Sequence, residues 1–119
     1  MRWEEALERV KELVRTEQEA AMLVGELTRD RGWRERVAAA RIVTAYRLGA
    51  LAPNLAATFH EAPEYYTCRA FTEMLRETLG PDAASLLEEM KNYCPNDDYG
   101  KNMVQLIDSA LSQTLHDKR

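Results

Sequence analysis

The chain has 119 residues, of which 45% are hydrophobic and 30% are charged, and its formal net charge is −4. This length suits one domain with a single core and is too short for two, so we expect residues 1–119 to form one domain. The hydrophobic fraction excludes a disordered chain, and the few glycines and prolines exclude a low-complexity linker. No apolar run approaches the ~18 residues of a membrane span, so we expect no membrane partner.

The first apolar pattern covers residues 3–29 at helical spacing, which predicts one long N-terminal helix. A helix of this length spans ~40 Å, more than the roughly 35 Å diameter of a compact domain of this size. Glu17 interrupts the apolar stripe, so a break between residues 16 and 19 is the alternative. If the helix is continuous, its end must protrude or pack on a second copy. We therefore predict a homodimer whose interface contains four residues of this stripe: Trp3, Leu7, Val10 and Val14.

A second helix is predicted over residues 33–51. At 100° per residue, Arg34 and Arg41 fall on one side of it and Arg36 and Arg47 fall on the opposite side, which leaves two apolar faces between them. A helix that is apolar on two sides is expected at the centre of a bundle.

The C-terminal part contains Pro53 in a short apolar turn and a clear helix stop at Gly80-Pro81. Three helices are predicted around these breaks, over residues 64–79, 83–93 and 99–115. The predicted fold is a compact all-α bundle of five or six helices, with a long N-terminal helix and a central second helix.

Positive charge is concentrated in residues 29–47, which hold six of the twelve arginines and a local balance of +4. A basic patch on an acidic protein directs electrostatic potential toward an anionic partner. Arginines that flank the turn at Gly32 are expected to be accessible, and an aromatic residue among them is the composition of an interface hot spot. The predicted partner-binding residues are Arg29, Arg31, Trp33, Arg34 and Arg36.

Two other interpretations of the arginines remain open. They can pair internally with Glu17, Glu26, Glu35 and the acidic C-terminal helices. They can also bind nucleic acid, but a pI near 5.2 and the opposed arginine pairs of the second helix disfavour a phosphate-binding surface.

Catalytic and metal-binding patterns are weak. Residues 4–8 have the spacing E-E-x-x-E, which resembles the first carboxylate motif of the all-α nucleotide pyrophosphohydrolases of the MazG and dUTPase type. That resemblance implies Mg²⁺ held between helices by a second pair with the spacing E-x-x-D. The nearest candidates, Glu26 and Asp30, have the spacing E-x-x-x-D. His60, Glu64 and Cys68 would share one helix face only if Pro63 did not interrupt the helix.

The thiols and the N-terminal residues bear on location. Cys68 and Cys94 lie in apolar segments and are interpreted as small buried hydrophobes, since two cysteines do not make a disulfide framework. Residues 1–5 include two glutamates, too acidic for a signal peptide. These features predict a cytoplasmic protein.

The leading functional hypothesis is a non-catalytic helical module for protein–protein interaction: an adaptor, an inhibitor, or a regulatory or small subunit. We expect it to be a homodimer that binds a protein partner with an acidic surface, and to use no catalytic residue, metal or cofactor. A small nucleic-acid-associated subunit is the alternative, and a Mg²⁺-dependent all-α nucleotide pyrophosphohydrolase is the third hypothesis.

Overall fold

A computed structural model describes residues 3–29 and 32–117, apart from the side chains of residues 3, 4, 6, 7 and 115–117. No strand occurs among these residues. The helices are α1 Trp3–Leu13, α2 Glu17–Arg29, α3 Trp33–Ala45, α4 Ala52–Ala57, α5 Tyr65–Leu79, α6 Ala84–Asn92 and α7 Asp98–Asp117. Three 3₁₀ turns, Gly49–Leu51, Thr58–Glu61 and Gly80–Ala83, connect them. The predicted all-α bundle is confirmed: six helices have nine residues or more, and α4 has six.

The continuous N-terminal helix is wrong, because α1 ends at Leu13 and α2 begins at Glu17. Thr16 supplies the reason. Its hydroxyl oxygen accepts from the backbone N–H of Glu19 at 3.1 Å, and its O–H donates to the Glu19 carboxylate at 3.3 Å. This pair resembles a capping box, a common device for starting a new helix. An α1 of 11 residues spans only ~16 Å, so the length argument for a protruding helix no longer holds.

The second predicted helix is also shorter than expected, since α3 ends at Ala45 instead of continuing to residue 51. Arg47 adopts a φ of +54°, in the left-handed region. The N–H of Leu48 donates to the carbonyl of Val43 at 2.9 Å, and the N–H of Arg47 donates to that of Thr44 at 3.3 Å. These two bonds form a Schellman motif. Glycine is the usual residue at the left-handed position, which explains why arginine gave no stop signal in the sequence.

The centre of the bundle is shared by α3 and α5. Helix α3 packs between α2 and α5, as expected for a central helix, while α5 also contacts α4, α6 and α7. The buried residues of α3 are Ala39, Ala40, Ile42 and Val43, together with Arg36. The rings of Phe59 and Phe71 meet in an edge-to-face arrangement in the core, with a centroid distance of 6.5 Å. The described part of the molecule measures 39 × 34 × 24 Å.

The stop predicted at Gly80-Pro81 is confirmed, since α5 ends at Leu79 and Gly80 has a φ of +57°. Among residues 3–29 and 32–117, no helix combines the length and the apolar character that a bilayer crossing requires.

We expect opposite results from alanine at two glycines. A Cβ at Gly100, in the first turn of α7, would overlap the backbone carbonyl of Pro95, whereas Gly25 in α2 has open space around it. Gly100→Ala should lower the free energy of unfolding by about 1–3 kcal/mol through this overlap. Gly25→Ala should raise it by about 0.5–1 kcal/mol, because alanine loses less backbone entropy in a helix. Urea unfolding measures both, and a Gly100→Ala variant as stable as the parent would contradict the close approach.

Candidate functional site

Arg36 is buried, in contrast to the accessible position that its place near the turn predicts. It is 2% exposed, and it is the buried charged residue among those described. Its Nη1 donates to the carbonyl of Thr58 at 3.2 Å, and its Nη2 donates to Glu61 Oε2 at 2.7 Å. A guanidinium inside a protein needs such acceptors, and here they come from a turn more than twenty residues later. Arg36 is therefore not accessible to a partner, contrary to its place among the predicted partner-binding residues.

The other arginines of the cluster fall into two groups. Arg41 is half-buried and pairs with Glu73 at 2.8 Å. Arg29, Arg34 and Arg47 are exposed, and Arg31 lies outside the described residues. Among the described arginines of this cluster, internal ion pairing therefore accounts for Arg36 and Arg41. Their carboxylate partners are Glu61 and Glu73. Glu73 lies in one of the C-terminal helices that the internal-pairing interpretation named, whereas its other three candidates, Glu17, Glu26 and Glu35, are not the partners of these two arginines.

Trp33 takes part in an exposed aromatic stack. Its ring lies 5.4 Å from that of Tyr66, with an interplanar angle of 24°. The guanidinium carbon of Arg34 lies 4.8 Å from the centre of the Trp33 ring, within cation–π range. Trp33 remains 39% exposed and Tyr66 remains 56% exposed. We call Trp33, Arg34 and Tyr66 the aromatic–arginine surface.

Helix starts place these three side chains. Trp33 and Arg34 open α3 directly after Gly32, whose extended backbone (φ −74°, ψ 147°) precedes the first turn. Tyr66 lies in the first turn of α5, where the Glu64 carboxylate accepts from the N–H groups of Tyr66 and Thr67 at 2.9 and 2.7 Å. This N-cap fixes the direction in which α5 leaves the preceding turn.

The start of α7 joins the same region. The hydroxyl of Tyr99 accepts from the backbone N–H of Tyr65 at 2.8 Å. The ring of Tyr65 meets that of Tyr66 edge-on, at 5.7 Å and 86°. The ring stack therefore links the first turns of α3 and α5, and the Tyr99 hydrogen bond links the first turns of α5 and α7. Such rigid, exposed rings beside a guanidinium have the composition of protein interface hot spots.

Tyr66 is not among the partner-binding residues predicted from the sequence. The segment Pro63-Glu64-Tyr65-Tyr66 does signal a helix start, with two aromatics in the first turn. That signal says nothing about Trp33, because the stack joins residues more than thirty positions apart through tertiary packing.

The weak metal and catalytic patterns do not assemble among the described residues. No group of three or more His, Cys, Asp and Glu side chains there is close enough to hold a metal ion. Glu64 is engaged as the N-cap of α5, while His60 Nδ1 contacts the carbonyl of Ala57. In the E-E-x-x-E segment Glu5 and Glu8 are exposed, and the side chain of Glu4 lies outside the described residues.

Both thiols are free, and Cys68 is buried while Cys94 is half-buried. Burial raises the pKa of the Cys68 thiol from 9.0 to about 12, with smaller contributions from Cys94 and Glu64. Burial also raises the pKa of Cys94. Neither environment favours the thiolate that a nucleophilic cysteine requires.

The predicted dimer residues are described only in part. The side chains of Trp3 and Leu7 lie outside the described residues, and Val10 is half-buried. Val14 packs against the protein's own core, and its carbonyl accepts from the hydroxyl of Tyr46 at 2.6 Å. Leu13 is instead the exposed apolar residue of this segment, at 79%. The dimer interface stays a prediction.

No known protein family, curated protein or solved structure matches the chain.

The Arg36–Glu61 pair should be important for stability. Glu61→Gln removes the countercharge of a buried guanidinium, and because Glu61 is half-exposed we expect a loss of about 1–3 kcal/mol in the free energy of unfolding. Adding Arg36→Met should recover most of it, since an apolar side chain needs no countercharge. Glu77→Gln, at an exposed position of α5, is the matched control. Equal urea midpoints for Glu61→Gln and Glu77→Gln would contradict the role of the pair.

The Cys68 thiol should make the protein sensitive to alkali. Its folded-state pKa of about 12 lies above the ordinary 9.0, so the unfolded chain loses this proton first. The thiol's contribution to stability is present below pH 9.0 and is lost as the pH rises toward about 12. Under reducing conditions, Cys68→Ala should therefore lose less unfolding free energy over this range than the parent does. Cys94→Ala, at a half-buried thiol, is the comparison, and parallel pH profiles for parent and Cys68→Ala would refute the prediction.

Proposed function

We propose that this protein is a non-catalytic helical interaction module that binds an acidic protein partner through the aromatic–arginine surface. The observation that carries the proposal is the exposed Trp33–Tyr66 stack with Arg34 over the Trp33 ring. Tryptophan, tyrosine and arginine are the three residue types that most often dominate binding energy at protein interfaces. Here they lie together and outside the core.

Rigidity supports the proposal. The two rings already stack, and the Glu64 cap and the Tyr65–Tyr99 hydrogen bond hold the first turn of α5. A partner would therefore order few new side-chain torsions on binding. Since each immobilised side chain costs about 0.5–1.5 kcal/mol, a preorganised surface retains more of its contact energy as affinity.

Charge supports an acidic partner. The chain is acidic overall, but residues 29–47 carry a local balance of +4. Arg36 and Arg41 are neutralised by Glu61 and Glu73. Arg34 remains exposed beside the aromatic rings, and Arg29, the last residue of α2, is also exposed. Acidic groups on a partner would speed association and fix its orientation, an effect that salt weakens.

The same charge distribution disfavours the nucleic-acid alternative. Each phosphate contact needs its own cation, and two arginines of the cluster are held by carboxylates of the protein itself. The aromatic stack could accept one base face, but a continuous basic groove of the kind that tracks a nucleic-acid backbone is not formed by the described arginines.

Self-association is a separate part of the proposal. The break between α1 and α2 removes the length argument, and the remaining support is Leu13, exposed beside the half-buried Val10. A homodimer through this segment would leave the aromatic–arginine surface for a different partner.

The test uses a photo-crosslinking amino acid at position 66, with position 93 as the control. Tyr93 is also an exposed tyrosine, at 46%, and it lies against His60. In cells that normally make the protein, crosslinking at position 66 should capture a discrete partner that position 93 does not. With that partner purified, Tyr66→Ala and Arg34→Glu should each weaken binding about tenfold or more, as expected for hot-spot residues.

Matched variants show whether the effect is specific. Tyr93→Ala and Arg9→Glu change the same residue types at exposed positions outside the first turns of α3, α5 and α7, and should leave affinity within about twofold, as most peripheral positions do. Circular dichroism should show an unchanged fold for all four variants. Equal losses at the test and control positions, or the same crosslinks from positions 66 and 93, would refute the proposed surface.

A further inference from the structure

A cleft of about 170 Å³ lies between α5 and α7, and it is lined by residues other than Trp33, Arg34 and Tyr66. Its α5 wall contributes Arg69, Glu73 and Arg76, and its α7 wall contributes Ser109 and Gln113. Leu106 and Ala110 add an apolar part to the α7 side.

Arg76 is the unusual member of this cleft. Its Nε is buried and has no hydrogen-bond partner, and its guanidinium forms no ion pair with the described residues. A buried cationic donor without an acceptor raises the free energy of the folded state, so such a group usually has a hydrogen-bond partner in the functional protein. Arg36 Nε is also unpartnered, but the rest of that guanidinium is held by Thr58 and Glu61.

The other polar groups of the cleft leave donors available as well. The hydroxyl of Ser109 and the amide of Gln113 make no hydrogen bond with the described residues. Arg69 contacts Glu73 only through Nε at 3.8 Å, and its side chain is more than half exposed. Glu73 is the one carboxylate among the cleft residues, and Arg41 engages its other oxygen at 2.8 Å. The cleft therefore presents donors with a net positive charge.

We propose that this cleft binds a small phosphate-type oxyanion, with Arg76 as its principal ligand. Guanidinium groups match phosphate oxygens with charge-assisted hydrogen bonds. The donors lie on two opposing helices, an arrangement that suits a tetrahedral anion reached from several sides better than a planar carboxylate held by one arginine. The volume is below the roughly 300 Å³ at which pockets for drug-sized ligands begin, which favours inorganic phosphate or a small phosphomonoester over a nucleotide.

The experiment is a chemical-shift titration of the full chain with inorganic phosphate, against chloride at matched ionic strength. Saturable shifts are expected at the backbone amides around Arg76, Ser109 and Gln113. Arg76→Gln should weaken binding at least about tenfold, because it removes a charged donor from the oxyanion. Arg9→Gln is the matched control, since Arg9 is exposed on α1 and its substitution should leave the affinity unchanged.

Two further arms complete the test. Ser109→Leu fills the cleft from an exposed position of α7 and should abolish the shifts while leaving Arg76 in place. Acetate and methyl phosphate separate the anion classes, and only methyl phosphate should reproduce the phosphate pattern. Shifts spread evenly over all exposed arginines, an Arg76→Gln variant that binds like the parent, or equal binding of acetate would each overturn the proposal.

Discussion

The buried guanidinium of Arg36 constrains much of the architecture around the N-terminal ends of the helices. A charge that is 2% exposed is stable only where oxygen acceptors reach it, and the 3₁₀ turn Thr58–Glu61 provides them. That turn must therefore lie over the first turns of α3. Since α5 begins only a few residues later, its own first turn is brought beside Trp33. The Arg36–Glu61 ion pair and the packing of α3 on α5 thus both contribute to the position of the aromatic–arginine surface.

The arginines of residues 29–47 consequently have different structural roles. Arg36 and Arg41 tie α3 to the Thr58–Glu61 turn and to α5. Arg34, at an exposed position of the same helix, contacts the Trp33 ring and solvent. The fold therefore divides this cluster of positively charged residues into arginines that form internal ion pairs and arginines that stay at the surface. Arg76, outside this cluster, represents a third situation, in which the fold buries a donor and supplies no acceptor.

The sequence was sufficient for the fold class and for the stop at Gly80-Pro81, because helical periodicity and glycine–proline chemistry are local signals. The break at Thr16 was also encoded locally, as the T-x-x-E pattern that Thr16 and Glu19 form, although the apolar stripe concealed it. The end of α3 had no recognisable local signal, since the left-handed position holds Arg47 instead of glycine. The burial of Arg36 and the stacking of Tyr66 on Trp33 depend on residues distant in the chain, which periodicity does not address.

The break between α1 and α2 also bears on local stability, since the two helices do not form one continuous hydrogen-bonded element. The capping of α2 by Thr16 completes that helix without any contribution from α1, so α2 does not depend on α1 to remain folded. Val14, at the junction, is tied to the core by its carbonyl bond to Tyr46 and by its own packing, while Leu13 before it is solvated. We therefore expect the first helix to unfold and refold as its own cooperative unit. The bundle from α2 onward should then keep its native hydrogen bonds when α1 is unfolded.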